Sequence, residues 1–225
     1  MKKILLIILS IGILAFTSYW GTEIYQFTDG VKKEAVPLEK FKIAQKIQSG
    51  DIIFQTSKSR QSKAIQLATN SKYSHMGIIY ENDEKFFVYE AVQPVKMTPL
   101  IEWINRGENG HYVIKRLENS DQILTKSIVA KMKQIGEHFK GKPYDIYFEW
   151  SDDKIYCSEL VWKIFKQAVD IEIGQLEQLA DFDLSNDIVK AKMKERYGDN
   201  IPMDEKVISP AAMFNSDKLI TIEKK

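Results

Sequence analysis

Two runs rich in β-forming residues, "SHMGIIY" and "KFFVYEAV", are separated only by Glu81, Asn82, Asp83 and Glu84. A connection that short joins antiparallel neighbours, so the pair predicts a β-hairpin. Further strands are expected at "DIIFQ", "HYVIKRL" and "KLITIE". Helices are expected at "PLEKFKIAQKIQSG", "SRQSKAIQLATNS", "TPLIEWINRG", "LSNDIVKAKMKERYG" and "SPAAMFNS". In "TPLIEWINRG" Thr98 is the expected N-cap, Pro99 the first helical residue and Gly107 the stop; Ser185 is the expected cap of "LSNDIVKAKMKERYG". Asp121 is expected to cap a longer helix, in which Ile123, Leu124, Ile128, Met132, Ile135 and Phe139 recur at three- and four-residue steps. Strands and helices mix without regular βαβ alternation, which predicts an α+β fold.

The first twenty residues, "MKKILLIILSIGILAFTSYW", follow a different rule. Two lysines precede an uncharged apolar run from Ile4 to about Trp20. A short basic segment ahead of such a run predicts export, with residues 1–21 either cleaved as a signal or retained as a membrane anchor. The expected location is therefore the cell envelope or the exterior, and the retained form would associate with the membrane. No internal repeat, low-complexity tract or Pro/Gly linker divides the remainder, so residues 36–225 are expected to form one domain. Lys and Arg together number 32 against 31 Asp and Glu, and no basic stripe of a nucleic-acid binder is present.

Cys157, in "KIYCSELVW", is the only cysteine of the chain. Exported proteins commonly pair their cysteines, and this one has no partner in its own chain, which leaves a buried inert thiol or a reactive one. Cys157, Leu160, Val161, Ile164, Phe165 and Ala168 share one face at helical spacing, which puts the thiol at the N-terminal end of the stripe. The free N–H groups and the dipole at that end favour a thiolate. Core filler and nucleophile both remain open on this observation alone.

A thiol nucleophile needs a base. The histidines are His75, His111 and His138. His138 lies near the end of a long helix and His111 opens a strand without an acidic partner; both are expected to be structural. His75 lies in the hairpin. With Tyr80 facing Lys85, or in the tighter turn with Glu81 facing Glu84, the register sets His75 opposite Glu90. Residues opposed in this way share a face with their Cβ atoms about 5 Å apart. Glu90 is then placed to orient one ring nitrogen of His75 and leave the other for a thiol. No paired His/Cys spacing for zinc, phosphate-cradling glycine loop or G-x-S-x-G elbow occurs, so no metal or cofactor is expected.

With these residues in view, "GDIIF" followed by "SHMGIIY" resembles the core of the NlpC-type cell-wall peptidases. In those enzymes the nucleophile helix precedes the two strands, whereas here "YCSELVWKIF" follows them. That order resembles the permuted papain-like amidases, the YiiX/YaeF-like group, which are related to the lecithin:retinol acyltransferase-like proteins. The similarity runs from about Gly50 to Ile222 and includes "GKPYD", "YEAV" and "VISPAAMFNSDKLITI". It implies a circularly permuted papain-like fold, a small antiparallel sheet packed against helices. It also implies Cys157 as nucleophile, His75 as general base and then acid, and Glu90 as the group orienting His75. The Cys157 N–H, with the Tyr156 side chain beside it, would hold the oxyanion. Tyr156 and Glu159 stand where the peptidases usually carry Asp and Gly. The expected activity is cysteine amidohydrolysis through a thioester, on a cell-wall peptide or an N-acyl amide. The alternatives are lipid acyl hydrolysis or transfer at the same site, and an envelope binding protein without turnover. Residues 171–206 are expected to cover the cleft.

Overall fold

The computed structural model describes residues 42–225. The expected export segment and the start of the helix at "PLEKF" lie outside the described residues. Among those described, no helix is long and apolar enough to cross a membrane.

Six strands form one sheet: β1 (Ile52–Gln55), β2 (His75–Asn82), β3 (Lys85–Glu90), β4 (Lys96–Pro99), β5 (Val113–Leu117) and β8 (Leu219–Lys224). Their order is β4-β3-β2-β1-β5-β8, and each neighbouring pair is antiparallel. Two short strands, β6 (Glu177–Gln178) and β7 (Lys206–Val207), pair separately. Both faces of the large sheet are covered. Ile52, Phe54, Met76 and Ile78 pack with the cysteine helix, while Ile53, Ile79, Val88 and Ile114 pack with Leu100 and Trp103. Double covering explains why "IIF" is a continuous apolar run rather than an alternating one. The start of β1 is tied to β5 by Asp51, whose carboxylate accepts from Arg116 Nε at 2.7 Å and from an Arg116 terminal nitrogen at 2.9 Å.

The α+β class and the permuted order hold: the hairpin comes first and the cysteine helix after it. That hairpin turns more tightly than the sequence suggests. Asn82 pairs with Lys85 and Ile78 with Tyr89, so the loop is only Asp83 and Glu84. Both loop residues have positive φ, 49° and 61°. This is the backbone of a type I′ turn, whose twist fits two-residue hairpins. The register therefore differs from the expected one by two residues, and Gly77 rather than His75 stands opposite Glu90. Side chains alternate with period two, so a two-residue shift keeps His75 and Glu90 on one face. At Gly77 a Cβ would lie 2.5 Å from Val88 Cγ1 and 2.7 Å from the Tyr89 carbonyl oxygen, so only glycine fits beside β3.

The helices are α1 (Arg60–Ala68), α2 (Leu100–Arg106), α3 (Ser120–Ile123), α4 (Lys126–Glu137), α5 (Cys157–Val169), α6 (Asp187–Tyr197) and α7 (Pro210–Phe214). The long helix expected from Asp121 is broken at Leu124, and Thr125 caps α4 by accepting the Ile128 N–H. Asn186 rather than Ser185 caps α6. Thr98 does not cap α2; it ends up in β4, with its hydroxyl turned to Glu90. The helix α5 lies on β2 and against α4, with Cys157, Leu160, Val161, Ile164, Phe165 and Ala168 all buried.

Candidate active site

Cys157 is the first residue of α5, so its N–H has no partner within the helix. Tyr156 in front of it is extended, and the Tyr156 N–H reaches back to Glu159 Oε2 at 3.4 Å. Because α5 packs on β2, the Cys157 thiol lies close enough to His75, at the start of that strand, to act on its protonation. His75 Nε2 lies 2.6 Å from Glu90 Oε2, which leaves Nδ1 as the ring nitrogen for the thiol. The imidazole also stacks on Trp103, with ring centroids 5.8 Å apart and planes 24° off parallel.

Glu90 is fully buried, and such a carboxylate is tolerable only if its oxygens are satisfied. Besides His75, Oε2 accepts the Trp103 indole N–H at 2.8 Å; Oε1 accepts the Thr98 hydroxyl at 2.6 Å and an Arg106 N–H. Burial pushes the Glu90 pKa up, but the hydrogen bond and charge of His75, with Thr98 and Arg106, outweigh it and hold the group at about 2. Burial likewise pushes His75 down, and its hydrogen bonds and charge interactions with Cys157 and Glu90 lift it to about 9. The result is an imidazole oriented by an ionised carboxylate and poised to hold a proton next to a thiol.

The expected residues Cys157, His75 and Glu90 are therefore brought together in one place. His111 and His138 are not: His111 stacks on Tyr73 at 6.1 Å, and His138 ends α4. Tyr156 lies beside Cys157, but its hydroxyl oxygen accepts the Ile208 N–H at 3.1 Å and its ring meets Phe148 edge-on. With Ser158, whose hydroxyl donates to the Ile208 carbonyl at 2.7 Å, it anchors the segment ahead of α7.

The family described as permuted papain-like amidase enzymes, YaeF/YiiX, C92 family, matches residues 46–223. The chain belongs to this family. The YiiX protein of Escherichia coli K12 is 50% identical over 177 residues, 79% of this chain and 86% of that protein. The crystal structure of YiiX from Escherichia coli O157:H7, solved as a metalloprotein, superposes with a TM-score of 0.77 at 50% identity. The match covers 80% of this chain and 98% of that one. Here, no group of three or more His, Cys, Asp or Glu among the described residues is placed to hold a metal ion. The donors nearest the thiol, His75 and Glu90, are already engaged with each other.

In this member of the family another tyrosine stands near the thiol, one that no local sequence pattern marks. Tyr144, in "GKPYD", is held by a bridge to Ile155 just ahead of α5. Its hydroxyl oxygen accepts from Gln61 Nε2 at 3.1 Å, so its own proton stays free to donate. Burial and the nearby Cys157 keep that hydroxyl protonated well above the usual tyrosine range. Glu159, where the peptidases carry glycine, is buried; burial raises its pKa to about 8 against the pull of Lys163, 2.8 Å away. Lys163 in turn donates to Asp152 and to the Ser151 carbonyl, pinning the loop before Cys157 onto α5.

Two concavities meet at Tyr144. One includes Cys157 and is walled by apolar side chains, among them Ile65, Leu179, Phe182, Val189 and Met193. About a third of its lining, including Lys192 and Arg196, comes from the segment 171–206. The other includes His75 but not Cys157 and mixes polar with apolar side chains, and is more polar than the first.

Proposed function

We propose that this protein is a cysteine amidohydrolase that cleaves N-acyl amides with an apolar acyl chain, through a thioester on Cys157. The observation that carries the proposal is the apolar groove opening at the thiol. An acyl group bonded to sulfur must lie on the sulfur's side, and there the exposed surface is mainly aliphatic and aromatic, with Lys192 and Arg196 also in the lining. A cell-wall peptide, rich in polar backbone, would leave its amides unpaired against such a wall.

In the first step Nδ1 of His75 takes the thiol proton and Sγ of Cys157 attacks the carbonyl carbon. The oxyanion accepts hydrogen bonds from the Cys157 N–H and, in this proposal, from the Tyr144 hydroxyl rather than that of Tyr156. His75 then gives its proton to the leaving nitrogen, the C–N bond breaks and the thioester remains. Water, deprotonated by His75, attacks the thioester; the carboxylic acid leaves and the thiol is restored. Glu90 keeps the ring oriented and stabilises its charge throughout. As part of the same proposal, the apolar residues 4–20 direct the domain to the cell envelope.

The test is amine release by the full chain and by Cys157→Ala from N-acyl amides of increasing chain length, with muropeptides in parallel. Release should grow with the apolar chain and vanish in Cys157→Ala. Release that persists in the variant would overturn the proposal, as would cleavage of muropeptides alone. Binding without turnover in either protein would return the chain to a binding role.

A further inference from the structure

Resting on the hydrolase reading above, the chemistry divides the substrate between the two concavities. The acyl group stays on sulfur, while the departing amine collects its proton from His75, so the amine lies on the His75 side. The cleft there is lined by His75, Gln55, Gln93, Arg106, Tyr144 and Lys154, together with hydroxyls and a few apolar groups. It carries cations and no lining carboxylate. Glu90 is buried behind His75 with both oxygens already accepting.

The two cations are available to a ligand. Arg106 spends one N–H on Glu90, yet its side chain remains 37% exposed, and a guanidinium has five N–H donors. Lys154 is exposed, lies 5.7 Å from the Tyr147 ring centroid, and forms no ion pair with a carboxylate among the described residues.

We infer that the cleft beside His75 is the leaving-group subsite and that it takes an amine bearing an anionic group, a carboxylate or a phosphate, next to the scissile amide. Arg106 and Lys154 meet the anion.

The experiment is titration calorimetry on full-length Cys157→Ala with four amides of one fatty acid. Their amines are glycine (carboxylate), aminomethylphosphonate, ethanolamine (neutral) and ethylenediamine (cationic). The anionic pair should bind about tenfold more tightly than the neutral amide, and rising salt should erode the difference. Adding Lys154→Glu should abolish or invert that ratio, and the two anionic arms identify which anion is preferred. Equal affinity for anionic and neutral amides, a preference for the cationic one, or no binding of any would overturn the inference. Hydrolysis of the same four amides by the wild type separates the two readings. Turnover without charge preference overturns the subsite and leaves the hydrolase standing; charge-selective binding without turnover supports the subsite and removes the hydrolase.

Discussion

Glu90 and His75 meet on a diagonal of the β2–β3 hairpin, Oε2 to Nε2 at 2.6 Å, and every other group around that carboxylate is a donor. Replacing one oxygen by an NH2 group would set two donors against a third. Glu90→Gln should therefore cost about 1–3 kcal/mol of stability and lower kcat/KM by about 100-fold or more, because His75 loses its orientation. Denaturant melts and steady-state kinetics on one preparation check both numbers. An active, equally stable Glu90→Gln would remove Glu90 from its positioning role.

The same pair sets the pH response. Glu90 is held at about 2, below its ordinary 4.5, so its contribution to stability is present above pH 4.5 and lost as pH falls through about 2. His75 is raised from 6.5 to about 9, so its contribution is complete below pH 6.5 and lost as pH rises through about 9. Melting temperature against pH should therefore fall at both ends. Glu90→Gln should flatten the acid limb. His75→Gln should flatten the alkaline one and slow alkylation of Cys157 by iodoacetamide below pH 8.

Tyr144 and Tyr156 separate by kinetics. Tyr144→Phe removes the proposed oxyanion donor and should lower kcat by about 100-fold with little change in KM. Tyr156→Phe removes the acceptor of the Ile208 N–H and should instead cost about 1 kcal/mol of stability. The reverse pattern would give the oxyanion role to Tyr156.

Gly77→Ala tests the close approach of β2 and β3. The added carbon meets backbone at 2.7 Å, which cannot retreat as a flexible side chain would. A loss of about 1–3 kcal/mol is expected from such overpacking, read as a lower midpoint in urea. An unchanged midpoint would contradict the strand spacing.

Much of this site is legible in local sequence. The hairpin, the start of the cysteine helix and the shared face of His75 and Glu90 follow from periodicity and a short polar turn. The register is not, because Asp83 and Glu84 both adopt the left-handed region that non-glycine residues seldom enter. The expectation survived because the two-residue shift preserved the face. Thr98 shows a second limit: as a cap it obeys local rules, but Glu90 offers its hydroxyl a buried charged partner, and tertiary structure prevails. Trp103 and Arg106 reach the same carboxylate from α2, which no pairing rule predicts. Tyr144 lies in irregular chain with no period to mark it, and only its bridge to Ile155 brings it to the thiol.

The central claim is that Cys157 carries the acyl group between two half-reactions. Intact-mass spectrometry of the full chain, quenched in acid during turnover of an N-acyl amide, measures it directly. The account predicts an adduct equal to the acyl group, mapped to Cys157, absent in Cys157→Ala and accumulating as the acyl chain lengthens. Amine release with no such adduct, or an adduct on another residue, would contradict it.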